Sequence, residues 1–99
     1  MSTIRVRVKI GVLGFTEHEA EDGLPLLLEE FKHHPWLLTP EAKWDELNKQ
    51  IEIMLEIEDM PPEIAREFAF DEVWDCVIAT INFSSEGIKF DILEVKSLL

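Results

Sequence analysis

The chain is poor in the residues that most often announce a chemistry. It has a single cysteine, Cys76, so no internal disulfide can form and no C-x-x-C pair exists for a redox or zinc arrangement. Bases are scarce as well: nine Lys and Arg against 21 Asp and Glu give a formal net charge of −12, which repels nucleic-acid phosphates and anionic membranes. No apolar run approaches the roughly 20 residues that a membrane-spanning helix needs. The opening stretch MSTIRVRVKIGV is charged at every second position from Arg5 to Lys9, which is unlike the apolar core of a signal peptide. Gly11 and Gly14 lack both the Walker lysine and a full G-x-G-x-x-G pattern, and read as a turn. There is no internal repeat and no linker. Nucleic-acid and membrane partners are therefore not expected, and a cytoplasmic location is, since one unpaired thiol suits a reducing compartment.

What is present is enough for a fold. Ninety-nine residues, 46% of them hydrophobic, can bury a core without staples, and a single domain over 1–99 is expected. Residues 4–12, IRVRVKIGV, alternate strictly, with Ile4, Val6, Val8, Ile10 and Val12 on one side and Arg5, Arg7 and Lys9 on the other, the pattern of a half-buried strand. Thr16 followed by Glu19 is a capping box that starts a helix near Glu17. Gly23 and Pro25 predict a kink or restart in it, with Leu24, Leu27, Leu28 and Phe31 buried and an end at His34, before Pro35.

Residues 40–47 read as a strand or, alternatively, a short helical turn after Thr39 and Pro40. The stretch QIEIMLEIED, residues 50–59, alternates Ile51, Ile53, Leu55 and Ile57 with polar residues and is a strand. A two-residue turn at Asn48 and Lys49 would place Trp44 opposite Ile53 and Ala42 opposite Leu55. After MPPE a second helix is expected to bury Ile64, Phe68, Val73, Trp74, Val77, Ile78 and Ile81, with a strand over residues 76–83 as the competing reading. Residues 88–96 form the last strand, with Leu93 and Val95 sharing one face. The order strand, helix, strand, strand, helix, strand is that of an α+β ferredoxin-like βαββαβ arrangement, an antiparallel sheet with two helices on one face.

That arrangement lays the first strand beside the third. Residues 1–16 hold three bases and no acid, while 50–59 hold four acids and no base. On the open face Arg5, Arg7 and Lys9 should then meet Glu52, Glu56 and Glu58, pairs of roughly 0.2–1 kcal/mol each whose main effect is to choose the pairing partner. Met54, Leu47, Leu93 and Val95 add apolar area to the same face. The expected interface is thus Arg5, Arg7, Lys9, Leu47, Glu52, Met54, Glu56, Leu93 and Val95, offered to a second copy of the chain.

No catalytic constellation stands out, and neither a metal nor a cofactor is expected. His33 and His34 are adjacent, so on a helix they diverge by about 100° and cannot chelate as an i, i+4 pair would. His18 lies among Glu17, Glu19, Glu21 and Asp22 on an exposed helix without fixed geometry. Cys76 has no base beside it in sequence and reads as a structural thiol. Ser84 and Ser85 have no histidine after them. The expectation is a small acidic interaction or regulatory module that forms a homodimer through its sheet. The alternative is an acidic inhibitor or immunity-type protein that binds a basic enzyme. An enzyme with Trp36 and His34 at the mouth of a pocket is the third reading.

Overall fold

Alternation of β-branched and cationic residues makes β1 (Arg5–Leu13) a two-faced strand: Val6, Val8, Ile10 and Val12 are fully buried, and Arg5, Arg7 and Lys9 are half-buried on the other side. The computed structural model describes residues 4–80 and 88–98. The remaining elements are α1 (Glu17–Phe31), β2 (Leu38–Asp45), β3 (Gln50–Glu58), α2 (Pro62–Thr80) and β4 (Lys89–Ser97). The four strands form one antiparallel sheet in the order β2-β3-β1-β4. This is the α+β ferredoxin-like arrangement, with β1 and β3 at its centre and both helices over one face. No helix among the described residues is long and apolar enough to cross a membrane.

β1 and β3 run in register from Arg5 opposite Glu58 to Leu13 opposite Gln50, so the four buried residues of β1 meet Ile51, Ile53, Leu55 and Ile57 edge to edge under the helices. A slip of one residue would turn every one of these side chains to the open face, which is why the register is strongly specified.

The capping box forms as the sequence implies: Thr16 Oγ1 accepts the Glu19 N–H at 3.1 Å, and the Glu19 carboxylate accepts the Thr16 N–H at 2.8 Å. No restart occurs at Gly23 and Pro25: α1 is a single helix with Pro25 inside it. Pro25 is exposed, as is Glu21 one turn before it, so the missing helical bond falls on the solvent side of the helix. Ala20, Gly23, Leu27 and Phe31 form the buried stripe, and Leu28 stays exposed. The helix ends at Phe31, earlier than expected. Bonds from the amides of Lys32, His33 and His34 back to the carbonyls of Glu29, Glu30 and Phe31 tighten the chain into a 3₁₀-type turn there.

β2 is a strand, so the helical alternative for 40–47 is set aside. The turn that follows has four residues, and Trp44 stands opposite Ile51 and Ala42 opposite Ile53, two positions from the expected register. Because the shift is even, both residues keep their core-facing side. Asp45 causes the longer turn. Its Oδ1 accepts the Leu47 and Asn48 amides at 3.1 and 3.3 Å, and its Oδ2 accepts Asn48 Nδ2 at 2.8 Å. These bonds, the Asn48 side chain's first, hold the Asp45 carboxyl below its ordinary pKa.

α2 buries Ala65, Ala69, Val73, Cys76 and Val77 and leaves Ile64, Trp74 and Ile78 exposed. The expected stripe was rotated toward the larger side chains; small residues let the helix approach the sheet, and the bulky ones move to its flanks. Residues 76–80 are helical, while Ile81, Asn82, Ser84, Ser85 and Gly87 lie outside the described residues. In β4 a bulge between the partners of Lys9 and Ile10 leaves Leu93 as the extra residue. Before it Phe90 and Ile92 face the core; after it Val95 does, opposite Val8.

Candidate functional site

The open sheet face gathers the charges that the sequence pattern assigned to it. Arg5 Nε lies 2.6 Å from Glu56 Oε1, Arg7 Nη2 3.4 Å from Glu56 Oε2, and Arg5 Nη1 3.9 Å from Glu58. Lys9 Nζ stands 3.8 Å from both Glu52 and Glu94, bridging β3 and β4. Glu56 is the hub, with a side chain only 14% exposed. Met54 opposes Lys9 on the same face and floors a depression of about 410 Å³ walled by Lys9, Glu41, Lys43 and Glu52.

Two residues expected on this face are elsewhere. Leu47 sits in the Asp45 turn, 89% exposed and off the sheet. Val95 packs against the core, because the Leu93 bulge reverses the alternation after it, whereas Leu93 itself does stand on the open side. The sequence reading also missed Gln50, which is 6% exposed and lies across Gly11. A glycine inside a strand often marks such a close approach and was the available signal.

Six of the nine basic residues, Arg5, Arg7, Lys9, Lys43, Lys89 and Lys96, occupy this face by register. Glu41, Asp45, Glu52, Glu56, Glu58, Asp91 and Glu94 accompany them, so the face is close to neutral and nearly all of the formal −12 lies on the rest of the molecule.

A second group forms where the end of α1 meets α2. His34 Nε2 is 3.2 Å from Glu30 Oε2, His34 Nδ1 is 3.5 Å from Glu72 Oε2, and the Trp36 indole N–H donates to Glu72. The Trp36 ring meets the His34 ring edge-on at 5.1 Å. Beneath them lies Cys76, fully buried, its thiol pushed up to about 12 by burial and then by Glu30, Glu72 and Asp75. The sequence reading pairs Trp36 with His34 but leaves Cys76 and the two carboxylates apart from them; the i, i+4 spacings Glu30 to His34 and Glu72 to Cys76 are the legible clue that they converge. The His18 pairing with Asp22, at 3.6 Å, lies on the surface, and His33 is exposed.

A third feature is a shallow groove of about 630 Å³ between α2 and β4, with Phe70 and Phe90 in it and Arg66, Glu67 and Asp71 along its side. Phe90 meets Trp74 at 4.7 Å and Phe70 at 5.7 Å. No family model matches this chain, and no curated protein or solved structure is significantly similar to it.

Proposed function

We propose that this chain is a small acidic interaction module that self-associates through the open face of its sheet. The charge partition carries the reading. Two copies with a formal charge of −12 each repel wherever their helical layers approach, and the sheet face is the surface on which that repulsion is least. In a face-to-face pair the acidic helices stand a further packed layer, about 10 Å, behind each sheet, beyond the screening length of about 8 Å at physiological salt. Four strands of eight or nine residues present a projected area on the order of 570 Å². The accessible area exceeds its projection and comes near the roughly 800 Å² per partner of a standard interface. Leu93 and Met54 supply apolar contact, and the depression beside Met54 can receive a side chain from the facing copy.

A second reading draws on α2, where Glu63, Glu67, Asp71 and Asp75 stand exposed at successive i, i+4 positions. Like charges at that spacing weaken a helix by a few tenths of a kcal/mol per pair. A basic enzyme seated on this stripe would relieve the repulsion, with this chain acting as its acidic inhibitor or immunity-type protein.

Mass measurement in solution at rising salt tests both. Self-association of like-charged copies should give twice the 11.5 kDa chain mass and hold or tighten as salt screens the repulsion. The double variant Lys43→Glu/Lys96→Glu, at two exposed face positions, should be monomeric with its circular dichroism intact. A monomer at all concentrations and salts, or a dimer indifferent to the double variant, refutes the first reading. Capture of a basic protein that is released by salt supports the second.

A further inference from the structure

We propose that Glu30, His34 and Cys76 form a binding site for a single zinc-type divalent cation, with Glu72 as the group that orients His34. Among the described residues this is the one place where three side chains able to ligate a metal converge, each with a ligand atom within 4.8 Å of the others. Glu30 comes from the last turn of α1, His34 from the 3₁₀-type turn that follows it, and Cys76 from the core-facing side of α2.

Three observations separate this group from an ordinary acidic surface. The Glu30 Oε2 to His34 Nε2 separation of 3.2 Å matches the roughly 3.3 Å expected between two ligands each about 2.0 Å from a tetrahedral ion. Cys76 is a free thiol, fully buried, whose sulfur lies within 4.8 Å of a ligand atom of both Glu30 and His34, so a soft donor faces the other two ligands. His34 Nδ1 is also buried without a satisfied hydrogen bond, 3.5 Å from Glu72 Oε2. That is the position of the carboxylate that accepts Nδ1–H and fixes the ring so that Nε2 faces a metal. Glu72 is in turn held by the Trp36 indole N–H.

A carboxylate, an imidazole and a thiolate select a borderline ion such as Zn²⁺ or Co²⁺ over Mg²⁺ or Ca²⁺, which prefer oxygen donors alone. The donor atoms lie within 4.8 Å of one another, against roughly 3.3–3.6 Å round a tetrahedral ion, so side-chain movements of about 1 Å bring them to coordination distance. Glu30 and His34 remain partly exposed, at 30% and 17%, so a fourth position is open to water. The ion would tie the end of α1 to α2, and the melting temperature would rise with added metal.

The test is titration of metal-free protein with Zn²⁺ and Co²⁺ by calorimetry, absorption and thermal melting, with Mg²⁺ and Ca²⁺ as competitors. One ion per chain is expected, with a sulfur-to-cobalt charge-transfer band and no displacement by the hard cations. Glu30→Gln and His34→Gln should weaken binding at least 10-fold, Glu72→Gln by about 10- to 100-fold. Cys76→Ala should abolish the sulfur band, and His33→Gln should change nothing. Equal competition by Mg²⁺ or Ca²⁺, a cobalt complex without the sulfur band, or wild-type affinity in folded His34→Gln would overturn the proposal. If Cys76→Ala fails to fold, the Glu30 and His34 variants decide it.

Discussion

Glu56→Gln is the substitution that most directly examines why the sheet pairs as it does. The carboxylate lies 2.6 Å from Arg5 Nε and 3.4 Å from Arg7 Nη2, and the Glu56 side chain is 14% exposed while both arginine side chains remain more than a third exposed overall, at 39% and 34%. Glutamine keeps the shape and one acceptor but removes the charge that both cations face. An exposed ion pair is worth about 0.2–1 kcal/mol, whereas stripping one partner from a buried pair costs about 3–5 kcal/mol. Two contacts to a mostly buried carboxylate with half-open partners fall between these limits, so the expected loss is about 1–2 kcal/mol. For a domain of this size that corresponds to a fall in melting temperature of about 5–15 °C.

Glu52→Gln is the matched control. Glu52 is nearly as sheltered, at 19% exposed, but its cation, Lys9, stands 3.8 Å away, and the expected loss is below about 0.5 kcal/mol. Urea unfolding with a common slope separates the two, and a cycle with Arg7→Gln isolates the pair energy. If Glu56→Gln and Glu52→Gln lose the same stability, the hub at Glu56 does not exist, and the ion pairs have no part in selecting β3 as the neighbour of β1.

Gly11→Val should cost about 1–3 kcal/mol, because a Cβ there would sit 2.5 Å from Gln50 Oε1 and 3.2 Å from Leu93 Cδ1. Adding Gln50→Ala should recover most of that loss in urea unfolding, and no recovery would show that the strand itself, not the overlying side chain, rejects the substitution. Cys76 in the metal-free protein should resist thiol reagents at pH 8 until the chain unfolds, since burial and the adjacent carboxylates push its thiol up to about 12. With the folded value raised above that of the free thiol, its contribution to stability is intact below about pH 8.5 and is lost as pH climbs from there toward 12. Cys76→Ala should flatten that alkaline slope, and labelling of the folded protein at the rate of a free cysteine would refute the burial argument.

The parts of the fold that the sequence made legible are those governed by a period of two. β1 and β3 alternate along most of their length, with Gly11, Gln50 and Met54 as the departures, and their charges are of opposite sign, which together favour one pairing and register. The errors arose where one residue changes the count. Asp45 supplies side-chain acceptors that lengthen the hairpin turn and eject Leu47, and Leu93 adds a residue to β4 that sends Val95 inward. Neither device has a periodic signature. α2 misled for a different reason: it is apolar around most of its circumference, so packing against the sheet and not amphipathicity decides which side is buried, and packing favoured Ala65, Ala69 and Cys76 over Ile64 and Ile78. The group around His34 was hidden because its members are separated by up to 46 positions and only the docking of α1 on α2 unites them.

The unequal distribution of charge links the two candidate sites. Concentrating the bases on the sheet face neutralises the acids there and leaves the helical layer with few counter-ions, so the region around Glu30, Glu72 and Asp75 stands in a field that attracts cations. The same partition therefore favours contact between copies at one surface and accumulation of divalent ions at the other. Reversing Lys43 and Lys96 alters the first surface and not the second, since both lie on strands on the far side of the sheet from Cys76. A Lys43→Glu/Lys96→Glu protein that no longer associates but still takes up one zinc ion would show that the two properties are built from separate residues. Loss of both together would mean that the ion sits between copies.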